Sequence, residues 1–138
     1  MQFSRTTDNQ LAKAWMFAGL LAVFGCNSDP LGPSGQYEVE SKADIFTFSA
    51  LTLEDGTQTF SYRWDNTGTQ ATVITTDGIS SGSAILTIED DAGTVVYQDD
   101  IADDVDADTA VGISGTWRIE IDIQNVTGHF TVSIWKKT

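Results

Sequence analysis

From Tyr37 onward the chain alternates apolar and polar residues with a period of two, and no stretch sustains a helical period. In Trp117-Arg118-Ile119-Glu120-Ile121-Asp122-Ile123 every apolar side chain falls on one face of an extended strand and every polar one on the other. Phe130-Thr131-Val132-Ser133-Ile134 repeats the pattern, as do Phe60, Tyr62 and Trp64 between Ser61, Arg63 and Asp65. Such a chain hides its apolar face only by packing sheet on sheet or by closing a sheet on itself. Strands are expected near 37–42, 44–53, 58–66, 70–76, 83–89, 94–99, 109–113, 116–124 and 128–136. Gln124 to His129 is expected to turn between Trp117–Ile123 and Phe130–Ile134 and make them a hairpin. Asp90-Asp91-Ala92-Gly93 is expected to join two further strands, Gly93 supplying the positive φ of a short loop. Eight or nine short strands at this spacing predict an all-β fold, an antiparallel β-sandwich with one wet face per sheet. A barrel carries the same alternation and is the alternative.

The first 36 residues follow a different logic. Ala14 to Gly25 is an apolar run of twelve residues preceded by Arg5 and Lys13 and closed by Val23-Phe24-Gly25-Cys26. A charged start, an apolar middle and a small residue before the cut are what an export signal needs. The competing reading is an uncleaved anchor helix, but a membrane span needs about 20 apolar residues. Asn27 to Gln36 holds both prolines, Pro30 and Pro33, among Ser and Gly and has almost no hydrophobic side chain, which predicts a flexible tether. The expected organisation is a signal or anchor helix over 1–25, Cys26 and the tether over 26–36, and one β domain over 37–138.

Val23, Gly25 and Cys26 resemble the lipobox of bacterial lipoproteins. That resemblance implies a diacylglyceryl group on the Cys26 thiol, cleavage just before it and acylation of the new amino terminus. Two or three acyl chains hold a protein stably in a membrane where one is marginal. Residue 27 is Asn and not the Asp that the resemblance associates with inner-membrane retention, so the outer membrane of the bacterial cell envelope is the favoured address. With a single cysteine in the chain, no disulfide forms within it.

Composition narrows the partners. A net charge of −13 argues against nucleic acid, whose phosphates need clustered Lys and Arg. The same sign repels anionic headgroups, which leaves the lipid anchor as the membrane attachment. His129 is the only histidine and is expected in an exposed turn. Metal sites built on several His or Cys are excluded, and no nucleophile elbow is present. The chain is expected to be non-catalytic.

Two constellations remain. Asp99, Asp100, Asp103, Asp104, Asp106 and Asp108 put six aspartates within ten residues. Calcium would neutralise them, since it takes six to eight oxygens from flexible loops, and Asp104, Asp106 and Asp108 have the opening spacing of an EF-hand loop. Thr109 and Gly115 depart from that motif, and a hydrated acidic loop that keeps sheet edges from pairing is the other reading. Trp64 and Trp135 are candidates for stacking on a carbohydrate ligand. Aromatics in strict alternation serve equally as core, and Trp135, ahead of Lys136 and Lys137, is the one expected at the surface.

Gly115-Thr116-Trp117-Arg118-Ile119-Glu120-Ile121, with Asp44-Ile45-Phe46-Thr47-Phe48 and Ile85-Leu86-Thr87-Ile88-Glu89-Asp90, is similar to strands of convertase P-type and bacterial pre-peptidase C-terminal domains. That resemblance implies a jelly-roll sandwich, non-catalytic, sometimes calcium-stabilised, and used for targeting or adhesion. The expected function is a surface lipoprotein that binds a protein or carbohydrate partner. A structural accessory subunit of a larger bacterial membrane complex, with the N-terminal helix retained, is the alternative.

Overall fold

A computed structural model describes residues 35–101 and 104–138. The signal segment, Cys26 and the tether up to Ser34, together with Ala102 and Asp103, lie outside the described residues. The described residues are all-β and antiparallel, with no helix among them.

Six strands form one sheet: β1 (Gly35–Lys42), β2 (Ile45–Asn66), β3 (Ala71–Glu89), β4 (Val95–Asp100), β5 (Val105–Asp108) and β6 (Gly115–Lys136). The order is β1-β2-β6-β3-β4, and β5 also pairs with β3. Three of these strands are 22, 19 and 22 residues long, far above the usual five or six. They are not straight. Phe46 and Tyr62 of β2 have ring centroids 5.5 Å apart, and Phe48 and Phe60 lie 5.1 Å apart. Sixteen residues of straight strand would separate the first pair by roughly 53 Å, so β2 folds back over itself and its two halves face each other.

Its neighbours fold with it. Ile45 to Ala50 pairs with the second half of β6, from Trp135 back to Phe130, while Gln58 to Asn66 pairs with the first half, from Ile123 back to Gly115. In the same way β3 gives Ala71–Ile79 to one half of β6 and Ser83–Glu89 to the other. The result is a sandwich made from one folded sheet. One layer holds β1, the first half of β2, the second half of β6, the first half of β3, and β5; the other holds the remaining halves and β4.

The fold line is written in the burial pattern. In β6 the buried positions are 117, 119, 121 and 123, then 126, 130, 132 and 134. In β3 they are 71, 73 and 75, then 84, 86 and 88. A change from odd to even requires a slip of one residue, since side chains alternate strictly along a regular strand. The slips are visible as register shifts where β6 pairs with Ala50–Gln58 of β2 and with Ile79–Ser83 of β3, while the buried positions of β2 stay even, at 46, 48 and 50 and at 64 and 66. Backbone of positive φ gathers at the same level: Asp55 (51°), Gly82 (87°), Asn125 (52°) and Gly128 (127°). Bulges of this kind bend a strand while sparing most of its ladder.

The eight or nine short strands expected from the sequence are therefore corrected to six among the described residues, three of them long and bent. Trp117–Ile123 and Phe130–Ile134 are not a hairpin but two halves of β6, one in each layer. His129 is a strand residue opposite Gly78 and not a turn residue. Residues 109–113 form no strand, whereas Val105–Asp108, inside the acidic run, does. The turn at Asp90–Gly93 stands as expected: Glu89 faces Val95, the Asp90 N–H donates to the Thr94 carbonyl at 2.9 Å, and Gly93 has φ 83°.

The core fills the space between the layers. Phe46, Phe48, Trp64, Leu86, Ile88, Trp117, Ile119, Ile121, Ile123, Phe130, Val132 and Ile134 are all at most 1% exposed. Tyr37, from β1, closes one side, its ring 4.7 Å from Phe60. At Gly128 a Cβ would sit 2.2 Å from the Gly78 carbonyl oxygen, and φ is positive. Gly128→Val is expected to cost about 2–4 kcal/mol, read as a lower urea midpoint of unfolding with the denaturant slope unchanged.

Candidate functional site

The sandwich has one bent end, along the fold line, and one open end, where strands begin and stop. Four connections meet at the open end: Ala43–Asp44, residues 67–70, residues 90–94 and residues 109–114. Each leaves backbone groups that no ladder can satisfy. Two aspartates satisfy many of them.

Asp44 has φ 69°, the left-handed conformation that a two-residue turn between Lys42 and Ile45 requires. Its N–H donates to the Asp65 carbonyl at 2.8 Å, and its own carbonyl accepts from the Lys136 N–H at 3.0 Å. Its carboxylate accepts from the Thr67 N–H at 2.8 Å and the Thr67 hydroxyl at 2.9 Å, and faces the Lys136 ammonium at 3.3 Å. Donation from the Thr67 backbone, with help from its hydroxyl and Lys136, lowers the Asp44 pKa.

Asp90 is 5% exposed. Oδ1 accepts from the N–H groups of Ala92 at 3.0 Å and Thr94 at 2.9 Å, and Oδ2 accepts from that of Ile113 at 2.9 Å. One carboxylate thus fastens the β3–β4 turn to the 109–114 segment. Its pKa is lowered, first by the Thr94 N–H and then by those of Ile113, Ala92 and Gly93. The indoles beneath act as further fasteners: Trp64 Nε1 donates to the Lys42 carbonyl at 3.0 Å and Trp117 Nε1 to the Ile113 carbonyl at 2.7 Å. Their rings meet edge to face, 5.9 Å apart and 89° inclined.

Above these tryptophans lies a shallow depression of about 490 Å³, lined by Ala43, Asp65, Asn66, Thr67, Ser114, Gly115 and Thr116. It offers hydroxyls and the Asp65 carboxylate, which accepts from the Thr116 hydroxyl at 3.2 Å. Beside it, Val111 is 70% exposed and Ile113 is 56% exposed. Between them, Gly112 faces inward: a Cβ there would meet Asp90 Cβ at 2.8 Å and Val96 Cγ1 at 3.0 Å. Neither the Asp90 fastener nor the outward pair was identified from the sequence. An isolated Gly between two β-branched residues reads equally as an ordinary strand.

The aspartates of the acidic run are spread out. Asp99 and Asp100 end β4, which pairs with residues 85–89, whereas Asp106 and Asp108 are on β5, which pairs with residues 72–75 in the other layer. The Asp99 carboxylate accepts from the Asp100 N–H at 2.8 Å, and that of Asp104 accepts from the Asp77 N–H at 2.8 Å. Asp108 binds the Lys137 ammonium at 2.6 Å and the Thr72 hydroxyl at 2.9 Å, Lys137 being the larger cause of its lowered pKa. Asp106 and Asp108 lie on the extended backbone of β5, where alternate residues are roughly 6.6–7 Å apart and do not wrap one ion as a loop would. Among the described residues no three acids, His or Cys come together in a way that could hold a metal ion. Asp103 and Cys26 lie outside the described residues.

The two tryptophan candidates separate. Trp64 is 1% exposed and belongs to the core, so it presents no face to a ligand. Trp135 is 38% exposed, on the outer surface between Ile45 and Thr72. His129 is exposed on the fold line with its ring against Gly78.

A carboxylate whose folded pKa is lowered adds stability above its unfolded pKa, about 3.9, and loses it as pH falls through the folded value. Asp44, Asp90 and Asp108 all have this sign, so stability is expected to hold from neutral pH to about 4 and to decline below it. Asp90→Asn turns an amide donor toward the backbone N–H groups. It is expected to lower the melting temperature at pH 7 by about 5–10 °C and to flatten the acid limb of the melting curve.

No family model matches this chain, and no curated protein does. Among solved structures, an arabinose-bound α-L-arabinofuranosidase aligns over 75% of this chain and 24% of its own, at 10% identity and a TM-score of 0.35. A structure of infectious bursal disease virus, Gt strain, aligns over 79% of this chain and 35% of its own, at 17% identity and a TM-score of 0.27. The chain spans about a quarter to a third of those proteins, and the likeness carries no argument about activity.

Proposed function

We propose that the protein is a lipid-anchored, non-catalytic binding module of the bacterial cell envelope, with a jelly-roll-like sandwich as its working domain. The observation that carries this reading is the polarity of β1. The strand begins at Gly35, opposite Leu53 beside the fold line, and finishes at Lys42, opposite Ile45 at the open end. Eight residues of strand span roughly 27 Å. A chain anchored at Cys26 would enter the domain at the bent end, so the depression and the Val111–Ile113 pair would face away from the bilayer.

The tether of about ten residues would add roughly 17 Å as a coil and about 30 Å when stretched. The charge of −13 keeps the domain off anionic headgroups. The favoured address is the outer membrane, because Asn27 follows Cys26. The ligand is a protein or a carbohydrate, with Trp135 the aromatic available for stacking. Calcium enters only through the aspartate run.

The exposed Val111 and Ile113 also suit an accessory subunit seated on a larger membrane complex. Purification from mild detergent separates the two readings, since a subunit arrives with stoichiometric partners and a free module as a monomer. Lipidation is tested by feeding labelled palmitate to bacteria that make the full chain. Label on the wild type, none on Cys26→Ser, and release of that variant from the membrane fraction are the expected outcomes; equal labelling of both removes the anchor.

A further inference from the structure

The segment 109–114 crosses the open end and is held at nearly every residue. The Thr109 N–H donates to the Ala71 carbonyl at 2.8 Å, that of Ala110 to Val96 at 2.8 Å, and that of Gly112 to Thr69 at 2.7 Å. Ile113 is gripped from both sides, its N–H by Asp90 and its carbonyl by the Trp117 indole. Two aliphatic side chains on a segment so restrained are turned outward by construction. With Gly112 facing the core, its two neighbours in an extended chain point the other way. A rigid apolar projection loses little conformational freedom on binding, which is the condition under which a small contact area gives useful affinity.

The charges around it select the occupant. Asp65 and Asp91 are exposed at this end, and Asp91 accepts from the Thr116 N–H at 3.1 Å. Three cations of the region are turned to acids: Lys136 to Asp44, Lys137 to Asp108 and Arg118 to Glu89. Arg63 lies across the strand pair from Arg118 on the outer face. A second copy of the chain would set acidic rim against acidic rim at −13 each. A bilayer would meet the same repulsion, and β1 runs toward this end from the other. Resting on the binding-module reading, we infer that Val111 and Ile113 form a docking tip for a partner protein that presents apolar side chains flanked by Lys or Arg.

The probe is a fluorescent nonapeptide, Lys-Lys-Ser-Leu-Ser-Leu-Ser-Lys-Lys, titrated by anisotropy against the full chain in mild detergent. Its two controls replace both Leu by Ser, or all Lys by Glu. The tip predicts binding that weakens at least tenfold in the Val111→Ser, Ile113→Ser double variant, with the melting temperature unchanged because both side chains are exposed. It also predicts that neither control peptide binds and that 0.5 M salt weakens the complex. The inference is overturned if the wild type does not bind the probe, if the double variant binds within twofold of it, or if the Leu-to-Ser control binds equally. It is also overturned if these residues instead mediate a dimer or attachment to zwitterionic vesicles. The readout is independent of the palmitate labelling at Cys26, so tip and anchor fail separately.

Discussion

Everything in this domain depends on three long strands bending back at the same level. A folded sheet buries both of its halves only if each strand turns its apolar face inward twice, once in each layer. With a period of two, β6 and β3 need a one-residue slip at the crease, because their buried positions change parity there, whereas those of β2 stay even on both sides. β6 supplies it between Ile123 and Phe130, with Asn125 and Gly128 in positive φ, and β3 supplies it between Ile79 and Ser83. Gly128 lies against Gly78 where a side chain on either would collide. The crease is thus a packing solution, and the aromatic contacts within β2 follow from it.

Folding the sheet leaves the opposite end with an open core and loose backbone. The chain closes it with the covering segment 109–114 and with carboxylates. Asp90 gathers donors from two connections, and Asp44 from Thr67 of one connection and from Lys136 at the end of β6; a carboxylate is suited to this because it accepts several hydrogen bonds at once. The indoles of Trp64 and Trp117 fill the core below and bind the rim above. The segment that seals the core is also the one that carries Val111 and Ile113 outward.

The alternation was legible from single residues: Trp117 to Ile123 and Phe130 to Ile134 are strand, with the inward set as read. What joined them was not. Gln124-Asn125-Val126-Thr127-Gly128-His129 contains the residues of a turn, and the same preference for positive φ serves a bulge equally well. The acidic run misled for a related reason. Its density of charge suggested a loop, yet Val105 and Ala107 alternate with aspartates that face solvent on an edge strand, a common protection against unwanted pairing. Trp64 and Trp135 differ in phase: Trp64 continues the inward set of Phe60 and Tyr62, whereas Trp135 follows Thr131 and Ser133 on the outward face, so the alternation itself separates the buried indole from the exposed one.

The sequence alone determined that this domain is all-β, antiparallel and acidic, since period-two patterning and charge are local properties that any fold must respect. The tertiary structure decided that one sheet folds into two layers, that the aspartates disperse, and which end of the sandwich is open. Those outcomes depend on contacts between residues dozens of positions apart, such as Phe130 with Phe48 or Ile113 with Asp90, and no local pattern encodes such a contact.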